Sequence, residues 1–259
     1  MPVAAIYDIH GNLPALEAVL ADIRQADVDL VVVGGDVVPG PMPVETLDYL
    51  DRLEIPSLCI RGNGEREVLA LLDGESSVAV PESYLPAMRW VARQLQPEHV
   101  QRIRNWPLSV TVEVSGVGPV LFCHATPRRD AELFTRLTPD EELIPAFGSL
   151  AVPTVVCGHT HMQFERRIAG CRVCNAGSVG MPFGAPGAYW LLLGPDVSFR
   201  YTAYDVQAAA ARIQETSYPQ AAEFAAGNVL NPPSEGQMLE VFARASLASP
   251  DTKPPEPLA

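Results

Sequence analysis

Tyr7-Asp8-Ile9-His10-Gly11-Asn12 is the stretch on which the reading of this chain turns. It follows a short apolar run, Val3 to Tyr7, and precedes a helical pattern that begins near Leu13. A carboxylate and an imidazole two residues apart therefore stand where a buried strand ends. Four further segments repeat the layout of an apolar run followed by a metal-liking side chain. Leu30 to Val33 leads into Gly34-Gly35-Asp36, and Ser57 to Ile60 into Arg61-Gly62-Asn63. Pro119 to Cys123 leads into His124, and Thr154 to Cys157 into Gly158-His159-Thr160-His161. The expectation is a frame that gathers five strand ends.

Between these ends lie helical patterns. Pro14 suits a first helical turn, and Leu16, Val19, Leu20 and Ile23 share one face of a helix. Val44 to Leu53 reads as a second helix. Strand and helix alternating in this way imply βαβ units and a largely parallel sheet. Pro81 to Leu95, Pro97 to Asn105 and Pro139 to Phe147 read as helices. Leu108 to Val114 and Pro119 to Cys123 read as paired strands about a turn at Ser115 to Gly118. Gln163 to Ile168 and Arg172 to Asn175 form a hairpin about Ala169-Gly170, and Ala188 to Leu193 and Ser198 to Tyr204 add two strands. Two sets of strands with helices outside them predict a layered α/β sandwich. Beyond Asp205 the pattern is helical again, at Val206 to Thr216, Pro219 to Ala226 and Glu235 to Leu247. These helices either cap the sheet, the favoured reading, or make a homo-oligomer. The last residues, 249–259, hold four prolines and are expected to be disordered.

Composition narrows the function classes. A chain of 259 residues suits one large α/β domain, or one domain with an appendage. No run approaches the ~20 apolar residues of a membrane span, and the N-terminus lacks the pattern of a secretory signal. The expectation is a soluble, cytoplasmic protein. A net charge of −13 repels nucleic acid at long range and argues against non-specific duplex binding. A small anionic substrate remains compatible, because metal charge dominates inside a pocket. The cysteines number five, an odd count that argues against a disulfide framework. Cys171 and Cys174 form a lone CxxC, a weak metal or redox signal without a second pair.

Of the five histidines, four (His10, His124, His159 and His161) stand after apolar runs, and His99 does not. Asp8, Asp36 and Asn63 hold equivalent positions. Loops at the carboxyl ends of strands line the ligand crevice of an α/β sheet, so these seven oxygen and nitrogen donors are enough for two metal ions. Imidazole with carboxylate and carboxamide suits Mn, Fe, Co, Ni or Zn.

Asp8-Ile9-His10-Gly11-Asn12, Gly35-Asp36, Gly62-Asn63, His124, Gly158-His159-Thr160-His161 and Asn175-Ala176-Gly177-Ser178-Val179-Gly180 resemble, in order and spacing, the motifs of the calcineurin-like metallophosphoesterase superfamily, and most of all its small bacterial phosphodiesterase-type members. The resemblance spans about residues 1–204, which leaves 205–248 as a helical extension packing on that domain. It implies a four-layer αββα sandwich with a dinuclear site. One metal would be held by Asp8, His10, Asp36 and His161, the other by Asp36, Asn63, His124 and His159, with Asp36 bridging. A hydroxide bridging the two ions would attack a phosphodiester or phosphomonoester in line; Asp36, Asn63 and His124 are the residues expected to be indispensable to it.

One departure stands out. Many members read Gly-Asn-His in the third motif, and this chain has Gly64 in place of the His. That removes the usual help to the leaving group; Gly64 would instead leave room for a larger substrate. Glu65 is open to a role behind the ligands or on the surface. Asn12 is a candidate phosphate ligand or a helix cap. Arg66, Arg128 and Arg129 are candidates to grip phosphate, or are solvated. Asn175 to Gly180 is expected to turn the backbone under the site. The substrate walls are expected from residues 66–107 and 126–150. Two alternatives stay open: a protein-binding scaffold of the same fold, as in the retromer subunit, and a dinucleoside polyphosphate or phosphoprotein hydrolase.

Overall fold

The computed structural model of the chain describes residues 1–75 and 80–244. The expected disordered tail at 249–259, and the end of the last helix, lie outside them. Strands β1 (Val3–Ile6), β2 (Leu30–Val33) and β3 (Ser57–Cys59) alternate with α1 (Leu13–Gln25), α2 (Pro43–Asp51) and α3 (Asn63–Leu72). Next come α4 (Leu85–Gln94), α5 (Pro97–Asn105), β4 (Ser109–Val114), β5 (Gly118–Cys123), α6 (Asp140–Phe147), β6 (Thr154–Cys157), β7 (Gln163–Ile168) and β8 (Cys171–Ala176). The remaining elements are β9 (Ala188–Leu193), β10 (Val197–Thr202), α7 (Val206–Gln214), α8 (Ala221–Phe224) and α9 (Glu235–Ala243).

The strands form two five-stranded sheets, ordered β10-β9-β1-β2-β3 and β4-β5-β6-β8-β7. In the first, β1 pairs in parallel with β2, and β2 with β3, while β9 and β10 run antiparallel. In the second, β5, β6 and β8 are parallel, with β4 and β7 antiparallel at the edges. Both sheets are thus mixed, as a largely parallel reading of the N-terminal part alone does not reveal.

Alternation along each strand makes the layers, because successive side chains point to opposite faces. Val3, Ala5 and Tyr7 join Leu30 and Val32 in the core between the sheets, where they meet Val120, Phe122 and Val156. Ala4, Ile6, Val31 and Val33 face outward under α1, whose Leu16, Val19, Leu20 and Ile23 are fully buried. A third cluster, with Phe134, Phe147 and Phe164, lies on the outer face of the second sheet. The result is a four-layer α/β sandwich.

Ala209, Ile213, Phe224 and Val229 of the C-terminal segment belong to the same core as Leu16 and Ile6. These helices therefore cap the first sheet. Cys171 and Cys174, three apart on β8, fall on opposite faces of the sheet and into different cores. All five cysteines are free thiols, so the CxxC has no geometry for a shared ligand. Among the described residues, no helix is long and apolar enough to cross a membrane.

Candidate metal centre

The five strand ends do converge. Asp8 follows β1, Asp36 follows β2, Asn63 opens α3 after β3, His124 follows β5, and His159 and His161 follow β6. The connections are tight, and the backbone shows their cost. Asp8, His10, Asp36, His159 and His161 have φ between 50° and 68°, a region L side chains rarely adopt. Neighbouring loops hold these turns: Asp8 N–H donates to Gly35 O, His10 N–H to Asp36 O, and Gly180 N–H to Asp8 O. Gly35 has φ +93°, and a Cβ on it would stand 2.8 Å from His124 Nδ1, so only glycine fits there. The Asn175–Gly180 turn supports the site from below. Asn175 Nδ2 donates to Gly158 O, and Ser178 Oγ donates to Asp8 O at 2.7 Å.

Six side chains assemble into two triads, Asp8–His10–His161 and Asp36–His124–His159, with the ligating atoms in each within 4.8 Å of one another. The triads adjoin: His10 Nε2 lies 3.9 Å from Asp36 Oδ2, and His124 Nε2 lies 3.8 Å from Asp8 Oδ1. Asn63 Oδ1 joins the second triad at 3.1 Å from His124 Nε2.

The imidazoles are set to present Nε2 inward. The Nδ1 atoms of His10, His124 and His161 sit 3.0, 2.8 and 2.7 Å from the carbonyls of Pro39, Gly34 and Met181. A carbonyl only accepts, so each Nδ1 carries a proton; the Nε2 atoms of His10 and His161 are then left to offer lone pairs, while His124 Nε2 faces the acceptor Asn63 Oδ1. Two such atoms, His10 Nε2 and His161 Nε2, face each other at 3.2 Å. Asp8 Oδ1 and His159 Nε2 are buried with no hydrogen-bond partner. Buried polar atoms without partners are costly, and a cation between these donors would satisfy all of them. The residues present fit divalent metal ions of the kind that imidazole and carboxylate select.

The charge balance agrees. Burial works against the Asp36 charge, but His124, His10 and His159 outweigh it and hold the carboxyl well below its usual range. Burial likewise opposes ionisation of Asp8, and His161 and His124 outweigh it. Burial and the neighbouring His124 bring His159 down to about 4, so its ring is neutral and ready to ligate. His124 goes the other way: burial lowers it, but Asp36 and Asp8 outweigh that and raise it to about 10, so a cation would have to displace its Nε2 proton to be held there.

The residues proposed for substrate are engaged elsewhere. Asn12 is fully buried; its Oδ1 caps α1 at Ala15 N–H and its Nδ2 donates to Gly180 O. The capping role, not a phosphate contact, is what its geometry provides. Arg66 Nε donates to Asp130 and its Nη1 to Glu67. Arg128 grips Glu132, with Nε donating to both carboxylate oxygens at 3.0 and 2.8 Å. His99 lies away from the site, against Asp48.

Gly64 does not open space. A Cβ there would collide with the Pro39 ring and stand 2.8 Å from Asp36 Oδ1, while Gly64 N–H donates to that same oxygen at 2.7 Å. The expected room for a larger substrate is filled by Pro39.

Glu65 is the functional residue whose importance the sequence understated. It is fully buried, and its carboxylate accepts four backbone N–H groups, from Asp36, Val37, Val38 and Gly62. Burial and Asp36 push its pKa up to about 7, and the N–H donors pull the other way. It ties the loop carrying Asp36 to the loop carrying Asn63. The signal was a glutamate at the third position of α3, three residues after Gly62, where its carboxylate can reach back to the Gly62 N–H.

A cleft of about 360 Å³ opens beside His161, lined by Gln163, Glu165, Phe183, Tyr189, Phe199 and Glu235 among others. Residues 66–107 and 126–150, the expected substrate walls, do not line this cleft. The walls of the cleft come from β7, β9 and β10, the loop carrying Phe183 and the first residue of the C-terminal helix, which no local pattern could connect.

Comparison with known proteins agrees with this geometry. Residues 1–194 match the calcineurin-like phosphoesterase superfamily domain. The uncharacterized protein MJ0912 of Methanocaldococcus jannaschii is 29% identical over 180 residues, covering 68% of this chain and 69% of that protein. A metallophosphoesterase from Sphaerobacter thermophilus has a similar structure at 26% identity, with a TM-score of 0.69 over 88% of this chain and 99% of its own. The hypothetical protein PH1004 of Pyrococcus horikoshii shares the fold at 17% identity, with a TM-score of 0.76 over 90% of this chain and 99% of its own.

Proposed function

The chain belongs to the calcineurin-like phosphoesterase superfamily, and from that premise we propose that it hydrolyses phosphodiesters with two divalent metal ions at the Asp8–His10–His161 and Asp36–His124–His159 triads. The observation that carries the reading is the convergence of these six donors, with Asp8 Oδ1 and His159 Nε2 buried and unpartnered. Asp8, His10, Asp36 and His161 would hold one ion, and Asp36, Asn63, His124 and His159 the other. Such ions supply a hydroxide nucleophile at neutral pH and neutralise charge on the phosphoryl oxygens.

The chain's own residues do the rest. The carbonyls of Pro39, Gly34 and Met181 orient three imidazoles through their Nδ1 atoms. Glu65 and the Gly64 N–H orient Asp36 between the two triads. Burial of Asp8 and Asp36 keeps water from competing with their charges. With Gly64 where relatives carry a proton-handling His, the chemistry favours diesters whose leaving group departs as a stable anion.

The test is metal analysis of purified protein, followed by rates on bis(4-nitrophenyl) phosphate, 4-nitrophenyl phosphate and diadenosine tetraphosphate under that metal. The diester is expected to react fastest. A protein that binds no divalent metal and hydrolyses none of the three would sink the reading and favour a scaffold.

A further inference from the structure

We infer that the cleft beside His161 is the subsite for an aromatic ester group of the substrate, and that the C-terminal helix α9 is one of its walls. This rests on the phosphoesterase reading above. His161 is at once a member of the first triad and part of the cleft lining. A phosphate held between the triads therefore directs one ester group into this opening.

The walls are rings. Phe183 stacks on the His161 imidazole, with centroids 5.1 Å apart and planes at 24°. Tyr189 and Phe199 come from β9 and β10. Strand alternation puts them on the same face as Leu191 and Leu193, the face turned toward the second sheet. Leu191 and Leu193 are covered by that sheet, but Phe199 is 39% exposed. It lies where the covering sheet ends at its edge strand β7. Gln163 of β7 fastens this corner by donating to Trp190 O at 2.9 Å and Arg200 O at 3.2 Å. A planar ring entering from the metal centre finds aromatic surface there, and such surfaces bind rings through stacking and edge contacts.

The polar lining selects against extra negative charge. Glu165 and Glu235 face the cleft, while the arginines that pair with them, Arg172 and Arg136, are not part of its lining. A second phosphate would meet two carboxylates already paired with arginine, and no lysine or arginine in the lining to bind it. An uncharged ring meets no such barrier.

The C-terminal extension thereby gains a function. Glu235 is the first residue of α9, Gly184 N–H donates to Pro233 O at 2.9 Å just before it, and Phe242 packs 6.0 Å from Phe183. α9 thus holds Phe183 against His161 as well as closing one end of the cleft.

The test is equilibrium binding by calorimetry of two non-hydrolysable monoanionic diester analogues, methyl(phenyl)phosphinate and dimethylphosphinate, to the full chain loaded with Mn(II). Wild type is expected to bind the phenyl compound about tenfold more tightly than the methyl one. Phe199→Ala, at a half-exposed edge position, is expected to lose most of that preference while binding the methyl compound as wild type does. Equal affinities in wild type, or an unchanged preference in Phe199→Ala, would overturn the subsite and leave the phosphoesterase reading standing. Binding of neither compound would overturn that reading and the subsite with it. A nucleoside 5′-methylphosphonate identifies the ring: affinity at or above that of the phenyl compound assigns a nucleoside ester, lower affinity an aryl ester.

Discussion

The Glu65 carboxylate accepts the backbone N–H of Asp36 at 2.8 Å, and through the same oxygen that of Gly62 at 2.9 Å. One buried acid thus sets the distance between the loop of Asp36 and the loop of Asn63. Replacing it with alanine strands four buried N–H groups, each worth about 1–3 kcal/mol if left unpaired. Glu65→Ala is expected to lose about 4 kcal/mol of stability or more, and Glu65→Gln less, because one acceptor oxygen remains. Urea unfolding of the metal-free proteins reads the effect, and metal content should fall with it. An unchanged unfolding midpoint would show that the clamp is idle.

Asp36 and His124 are both in the second triad, and Asp36 also neighbours His10 of the first. Asp36→Ala or His124→Ala should lower hydrolysis of an aryl phosphodiester by about a thousandfold or more, since several kcal/mol of transition-state stabilisation goes with the metal pair. Circular dichroism should confirm the fold. Either variant working within tenfold of wild type would contradict the two-metal mechanism.

Restoring the histidine of the family pattern at Gly64 should fail. The Pro39 ring and Asp36 Oδ1 occupy the direction its side chain would take. Gly64→His is expected to lower stability by about 1–3 kcal/mol through overpacking and to bring no gain on esters with poor leaving groups. A rise in rate on such esters, measured beside thermal melting, would show that the loop yields.

Metal removal should loosen the molecule. Each ion that binds only the folded chain adds about 2.7 kcal/mol at a hundredfold excess over Kd, or about 5 kcal/mol for two. For a domain of this size that corresponds to about 10–20 °C in Tm for the pair. Chelated protein should melt that much lower, and Mn(II) titration should saturate near two equivalents. Saturation at one equivalent would mean that only one triad is competent.

Arg128 spends its guanidinium on Glu132, and Arg66 on Asp130 and Glu67. Arg128→Ala should leave KM for a phosphodiester within about twofold of wild type. A tenfold rise in KM at unchanged kcat would place Arg128 on the substrate and reinstate the phosphate-gripping role.

The N-terminal elements were readable for a simple physical reason. Leu16, Val19, Leu20 and Ile23 of α1 and the run Leu30 to Val33 of β2 are amphipathic or wholly apolar over their length, so their burial is written in their period. The candidate ligands were readable because each follows such a run. Other features had no local trace. The mixed order of the second sheet, with β8 between β6 and β7, depends on long-range pairing.

By itself, the sequence determined the layered α/β class and the residues that could hold metal, because both rest on short-range spacing. Only the tertiary structure decided that Asn12 caps a helix, that Gly64 is closed by Pro39, and that Glu65 is a fully buried clamp. It also brought Phe199 and Glu235 to the cleft beside His161. Those contacts join segments far apart in the chain, and which atoms meet there is set by how the two sheets and the C-terminal helices pack.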